Sequence, residues 1–176
     1  MRVLFIGNSF TARNELPRTI AQLAGSRGHA LEWQLVSAGG ASLRAHWNKG
    51  AAIDAMHEGR WDWVVLQEQS TLPVKNAKRM HENVRLFAGI IRDAGAGIAL
   101  YMTWARANAP AAQDAITAAY ESIGRELGAT VVPVGLAWQA FMRDHPPHPA
   151  ARSRPEPSVP RRVVRGGVRI RRGALR

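Results

Sequence analysis

The stretch MRVLFIGNSFTA, residues 1–12, decides the fold of this chain. Its apolar run, VLFI at residues 3–6, is β-branched and aromatic, which is typical of a strand buried on both faces of a sheet. Gly7 permits a sharp exit from that strand, and apolar residues recur at helical spacing over residues 15–28. Ser9 therefore lies where a strand is followed by a helix. It is either a cap of that helix or a hydroxyl exposed at a ligand-binding edge.

The rest of residues 1–143 alternates between strand-like and helix-like segments. Further strands are predicted at residues 31–37, 61–66, 98–103 and 130–134, and further helices at residues 43–57, 75–94, 111–127 and 136–143. Crossover helices of this length between strands indicate a parallel sheet with helices on both faces. We therefore predict an α/β domain of three layers, α/β/α, over residues 1–145.

Composition restricts the class of protein. A chain of 176 residues with 46% hydrophobic residues fits one globular domain with a sizeable core. No apolar stretch reaches transmembrane length and no signal peptide is recognisable, so we expect a cytoplasmic protein with no membrane partner. The chain has no cysteine, and none of its histidines has metal-ligand spacing. We accordingly predict no cofactor and no metal.

Most of the positive charge lies at the end of the chain. The net charge of +11 divides into +3 up to residue 150 and +8 from residue 151 onward. Six of the ten prolines lie in residues 146–176, which show no helical periodicity. Closely spaced like charges without an apolar face cannot offset the entropy of ordering. We therefore expect residues 146–176 to form a disordered Pro/Arg-rich tail.

Polar clusters follow four of the predicted strands. They are Asn8-Ser9, Gly39-Gly40, Gln67-Glu68-Gln69-Ser70 and Thr103-Trp104-Ala105-Arg106. The carboxyl ends of parallel strands meet at one edge of a sheet, so we expect these clusters to lie together. Acyl transfer needs a nucleophilic hydroxyl, a base and hydrogen-bond donors aimed at the developing oxyanion. Ser9 can supply the hydroxyl, while the backbone N–H of Gly40 and the side-chain amide of Gln67 can supply donors.

Five ordered blocks of sequence resemble one family. They are FIGNSFT at residues 5–11, GGASL at 39–43, VVLQEQS at 64–70, TWA at 103–105 and PVGLAW at 133–138. Together they resemble the SGNH hydrolases, also called the GDSL esterase/lipase family, and within it the bacterial branch whose first block reads GNSFT. The resemblance covers roughly residues 1–143. It implies a flavodoxin-like, five-stranded parallel sheet of order 2-1-3-4-5 and a serine esterase that acts on a small-molecule ester.

The resemblance also implies roles for individual residues. Ser9 matches the nucleophile, and Gly40 matches the glycine whose backbone N–H lines the oxyanion hole. Gln67 stands where the wider family has Asn, and it offers the same amide N–H₂ on a longer arm. The alternative function from another class is a small-ligand binding module, in which Asn8, Ser9 and Thr11 at the start of the first helix hold a phosphate or a flavin.

The family's general base is missing from its expected place. An Asp-x-x-His element late in the chain supplies the base and its orienting Asp in the family, and a closing apolar helix follows. Here the sequence after Asp144 reads His145-Pro146-Pro147-His148. His145 and His148 are candidates for the base, but neighbouring prolines leave no framework to hold either imidazole. We expect impaired activity, and apolar surface where the closing helix would pack.

A shift of the reading frame accounts for both the missing base and the unusual tail. Read one nucleotide later, the codons of residues 154–170 are compatible with the sequence DRSHPSPAGSYVAACVF. That sequence contains Asp-x-x-His-Pro followed by an apolar segment. The alternative is a genuine Arg-rich tail, which would bind nucleic acid through its phosphates, without sequence preference.

Three further expectations concern side chains around the site. Trp104 is expected to line the pocket, because it lies at a strand exit within one of the five blocks. Glu68 and Arg106 are expected to form a structural ion pair. The histidines of the helical segments, His29, His46, His57 and His81, are expected to face solvent.

The frame hypothesis predicts what the coding DNA contains. We expect the DNA downstream of codon 153 to encode Asp and His in the shifted frame. A chain with the frame corrected should gain several orders of magnitude in turnover of an activated acetyl ester, because a serine hydroxyl without a base is a poor nucleophile. Its melting temperature should rise as well, because the apolar helix is restored. DNA without these codons would show that the Arg-rich tail is genuine.

Overall fold

β1 (Arg2–Gly7) lies between two neighbours in a five-stranded sheet in the computed structural model, which describes residues 1–145. The other strands are β2 (Glu32–Ser37), β3 (Trp63–Leu66), β4 (Gly97–Tyr101) and β5 (Thr130–Val132). The sheet order is β2-β1-β3-β4-β5, and every pair of neighbours is parallel. The predicted α/β/α fold with strand order 2-1-3-4-5 is therefore confirmed. The predicted tail, residues 146–176, lies outside the described residues, and His148 with it.

Helices occupy the segments between the strands. They are α1 (Ser9–Ala12), α2 (Leu16–Gly25), α3 (Leu43–Lys49), α4 (Ala51–Glu58), α5 (Leu72–Lys75), α6 (Ala77–Asp93), α7 (Ala112–Leu127) and α8 (Val134–Asp144), with a 3₁₀ turn at Arg13–Glu15. Asn76 begins α6, since its Oδ1 accepts the N–H of Arg79 at 2.9 Å. Among the helices of residues 1–145, none is both long enough and apolar enough to cross a membrane.

The single helix predicted over residues 43–57 is wrong, because Gly50 divides it into α3 and α4. Gly50 has φ of 81°, a conformation that a residue with a Cβ rarely adopts. Its N–H donates to the carbonyls of His46 and Trp47 and closes α3. Its own carbonyl accepts from Ile53 and Asp54, at 2.7 and 2.9 Å, and opens α4.

The sheet buries alternate residues on opposite faces, as the strand period of two requires. On one face, residues such as Leu4, Ile6 and Leu66 are at most 1% exposed and pack against α3, α4, α6 and α7. Burial of a side chain of this size contributes about 1.5–3 kcal/mol. This face holds the larger part of the apolar core.

The opposite face of the sheet is covered by less chain. Val3, Phe5, Val65, Ala99 and Tyr101 form its core, and Leu16, Ile20 and Val134 of α2 and α8 pack against them. An apolar cavity of about 430 Å³ lies over this face, lined by side chains of β1, β3, β4 and β5. Trp63 and Val132 at this cavity are 36% and 37% exposed.

The strand register aligns the carboxyl ends of β1, β2 and β3 with one another. Gly7 of β1 pairs with Ser37 of β2, and Ile6 pairs with Leu66 of β3. The segments that follow these strands therefore leave the sheet side by side. This is the edge at which open parallel sheets bind ligands.

Candidate active site

The three residues predicted for catalysis follow three neighbouring strands. Ser9 is the first residue of α1, directly after β1, and its side chain is exposed. Gly40 lies in the loop after β2, and Gln67 comes immediately after β3. The structure thus brings all three to the same edge of the sheet.

Asn8 holds the turn that presents Ser9. Asn8 is buried, and its Oδ1 accepts the N–H of Phe10 at 3.1 Å, so that it caps α1. Its Nδ2 donates to the carbonyl of Ala41 at 2.9 Å. One side chain therefore joins the start of α1 to the loop that contains Gly40.

The Gly40 loop leaves its backbone donor free. Gly40 has φ of 68°, and a Cβ at this position would meet nothing within 4 Å. The loop is closed by the N–H of Ala41, which donates to Ala38 at 3.1 Å. Among the described residues, the N–H of Gly40 has no acceptor.

Gln67 is fully buried beneath the turn at Ser9. Its Oε1 accepts two hydrogen bonds at 2.9 Å, from the backbone N–H of Asn8 and from the hydroxyl of Thr11. Its Nε2 donates one hydrogen bond to the carbonyl of Glu68 at 2.5 Å. Of the two N–H bonds on Nε2, one thus remains without an acceptor in residues 1–145.

Glu68 is a buried carboxylate that joins three elements. It accepts from the N–H of Leu43 at 3.0 Å, from the N–H of Gln69 at 2.6 Å and from Nδ2 of Asn83 at 2.8 Å. Burial raises the pKa of Glu68 above its ordinary value, and these hydrogen bonds oppose the rise only in part. The ion pair predicted with Arg106 is wrong, because these three donors hold the carboxylate.

His46 is buried rather than solvent-facing, which corrects the prediction for that residue. It is 4% exposed, and its Nε2 lies 2.7 Å from the carbonyl oxygen of Gly7. A carbonyl only accepts, so the ring nitrogen donates and the tautomer is fixed. Burial lowers the pKa of His46 from its ordinary value. His46 therefore holds the end of β1 through this hydrogen bond to Gly7.

A cavity of about 590 Å³ opens beside Ser9. Its wall includes Phe10, Tyr101, Trp104 and Trp138, and the prediction that Trp104 lines the pocket is confirmed. Trp138 was not among the residues predicted for the pocket, although it ends the PVGLAW block of residues 133–138. Within the described residues, no group of three or more His, Asp or Glu side chains is placed to hold a metal ion.

These features define a class of protein: an α/β domain with an exposed serine at the carboxyl edge of its sheet, beside a ligand-sized pocket. Solved structures share the fold. A candidate SGNH hydrolase from Slackia heliotrinireducens is 26% identical, with a TM-score of 0.70 over 80% of this chain and 82% of that one. AlinE4, an SGNH-hydrolase family esterase, has 16% identity and a TM-score of 0.65 over 86% and 87% of the two chains.

An acetyl xylan esterase, AlAXEase, is also similar, with 12% identity and a TM-score of 0.67 over 82% of each chain. No protein-family model and no curated protein sequence matches this chain. The chain has the SGNH-hydrolase fold, and the resemblance to the SGNH hydrolases predicted from the five sequence blocks is confirmed.

The raised pKa of Glu68 predicts how stability changes with pH. The folded protein binds this proton more tightly than the unfolded chain, so this group adds to the free energy of unfolding as pH falls from 7 toward its ordinary pKa of 4.5. The addition is lost as pH rises through the folded pKa. We expect the native chain to gain stability relative to Glu68→Gln on acidification, measured by urea unfolding at several pH values.

Glu126 provides a control whose stability contribution has the opposite pH dependence, because its hydrogen bond with Arg85 lowers the pKa of the Glu126 carboxyl. The native chain should lose stability relative to Glu126→Gln as pH falls below 4.5 through the lowered pKa of Glu126. A Glu68→Gln difference that falls on acidification, as the Glu126→Gln difference does, would contradict a buried carboxyl with a raised pKa.

Proposed function

We propose that this domain is a serine ester hydrolase with Ser9 as its nucleophile. The observation that carries the proposal is the position of Ser9: an exposed hydroxyl at the start of α1, opening onto the cavity of about 590 Å³. Gly40 and Gln67 follow β2 and β3, the two strands beside β1, and each has an N–H group without an acceptor in residues 1–145. The esterases with the same fold are consistent with this reaction class.

In the proposed reaction, Ser9 Oγ attacks the ester carbonyl carbon while a base accepts the hydroxyl proton. The carbonyl oxygen becomes an oxyanion, and we assign its stabilisation to the N–H groups of Ser9 and Gly40 and to the Gln67 amide. The tetrahedral intermediate then expels the alcohol, which takes up a proton, and leaves an acyl ester on Ser9. Water releases the acid in a second step of the same kind.

The base is the component that this chain lacks in its expected form. The hydrogen bonds of His46, His81 and His145 all go to backbone carbonyls, those of Gly7, Ala119 and Phe141. A general base has to come within hydrogen-bond reach of the proton it accepts. We therefore assign the base to the Asp-x-x-His element of the shifted frame rather than to His145, and expect low turnover from the chain as given.

Covalent labelling tests the nucleophile more directly than turnover. A fluorophosphonate should label Ser9 rapidly in the frame-corrected chain and slowly in the chain as given, because activation of the hydroxyl needs the base. Mass spectrometry of the digested adduct locates the label. Ser9→Ala should remove the label and leave thermal unfolding nearly unchanged, since the side chain is exposed. Ser37→Ala is the matched control, because Ser37 is an exposed serine at the end of the neighbouring strand.

Labelling that persists in Ser9→Ala would place the chemistry elsewhere. A phosphate or a flavin that copurifies with an unlabelled protein would favour the small-ligand binding module instead.

A second pair of variants separates the two functions of the Gln67 amide. Gln67→Glu keeps an oxygen to accept from Asn8 and Thr11 but removes the N–H donors, so phosphonylation of Ser9 should slow by about 10² to 10³. Thr11→Val removes one of the bonds to Oε1 and leaves Nε2 intact. It should cost about 1 kcal/mol of stability and slow labelling far less than Gln67→Glu does, because the bond from Asn8 still holds Oε1. Equal labelling rates in both variants would exclude Gln67 as an oxyanion donor.

A further inference from the structure

A row of five aromatic rings extends from the residue after Ser9 to the end of α8. The ring centroids are 4.6 Å apart for Phe10–Trp104, 5.7 Å for Trp104–Trp138, 5.9 Å for Trp138–Phe141 and 4.5 Å for Phe141–His145. Trp138 and Phe141 are 45% and 52% exposed. Rings at these separations interact with one another, so the row is a preformed surface on which a further ring can stack.

The cavity beside Ser9 meets one end of this row. Phe10, Trp104 and Trp138 belong to both the row and the cavity wall. The volume of about 590 Å³ falls within the range of small-molecule pockets. A ring bound against Trp104 and Trp138 would therefore lie in the same cavity as the Ser9 hydroxyl.

A strained turn forms another part of the wall. In the Arg13–Glu15 turn, Asn14 and Glu15 have φ of 57° and 51°. Two successive residues with a Cβ in the left-handed region are unfavourable, and such strain concentrates where a ligand is held. The turn directs the chain so that Arg13 and Asn14 both line the cavity.

Arg13 brings an unneutralised positive charge to this wall. Glu15, the acidic residue closest to it in sequence, is held by Arg18 at 2.8 Å. None of the ion pairs of residues 1–145 includes Arg13. A guanidinium with free donors is suited to bind a carboxylate or another planar anion.

We propose that this pocket selects esters whose acyl or alcohol part is a flat aromatic ring with an anionic substituent. The ring stacks against Trp104 and Trp138, and the anion binds Arg13. The proposal rests on the proposed function, because it makes these residues specificity determinants for a reaction at Ser9. A flexible alkyl chain buries apolar surface in the same place, but it loses more rotational freedom on binding and gains no ring–ring contact.

Binding of a product-like probe to the full chain tests the proposal. The probe is 2-naphthoate, compared with octanoate, a flexible anion of the same charge, and with 2-naphthamide, the same ring without the charge. The indole N–H signals of the six tryptophans report the location in ¹H–¹⁵N spectra. The signals of Trp104 and Trp138 should shift while that of Trp33 does not. The Kd for 2-naphthoate should be roughly tenfold below that of either comparison compound.

Variants assign the two parts of the pocket. Trp138→Leu should weaken binding of 2-naphthoate by roughly fivefold. Trp138 is exposed, so the substitution should leave the fold intact. Trp33→Leu is the matched control, because Trp33 is 40% exposed on β2 and should leave the Kd unchanged. Arg13→Gln should remove the preference for 2-naphthoate over 2-naphthamide. Thermal unfolding confirms that each variant is folded.

Equal Kd values for 2-naphthoate and octanoate would overturn the proposal, and so would tighter binding of methyl β-xyloside, which would mark a sugar subsite. Phosphonate labelling of Ser9 tests the proposed hydrolase reaction independently of the ring selectivity. Labelling of Ser9 without a ring preference overturns the selectivity alone. Ring binding at Trp138 together with no phosphonate labelling of Ser9 in the frame-corrected chain supports the ring-and-anion pocket and overturns the proposed hydrolase.

Discussion

The geometry of the site depends on one buried contact, between the Gln67 side chain and the turn after β1. Gln67 Oε1 accepts from Asn8 and Thr11, both at 2.9 Å. A Cβ on Gly7 would lie 2.5 Å from the Thr11 hydroxyl oxygen and 2.7 Å from Gln67 Oε1, so this contact requires glycine. Ser9 lies within the turn that the contact shapes. Its place at the sheet edge therefore depends on hydrogen bonds in which its own side chain takes no part.

Buried polar groups extend this constraint across the edge of the sheet. Polar groups are costly to bury unless they are hydrogen-bonded, and each of these has partners on another element. Asn8 reaches the loop after β2, His46 of α3 supports the end of β1, and Glu68 joins the start of α3 to α6. The loops at this edge are therefore fixed relative to one another by directional bonds.

The sequence predicts those features that local pattern determines. The run of residues 3–6 predicts β1 because both of its faces are buried, while the strand order came with the family resemblance rather than from periodicity. The break at Gly50 was missed because a glycine within a helical pattern costs only about 1 kcal/mol. The burial of His46 was missed because its partner, Gly7, is distant in sequence. Trp138 was missed although it ends the PVGLAW block, because its place at the cavity depends on tertiary packing beside Trp104.

The hydrogen bonds around the turn at Ser9 have a consequence for the order in which the protein is made. The partners of this turn, from Asn8 and Thr11 to Ala41 and Gln67, all precede α6 along the chain. A ribosome therefore synthesises every hydrogen-bond partner of this turn before it synthesises α7 and α8. A change confined to the last part of the message leaves all of these hydrogen-bonding residues in the chain.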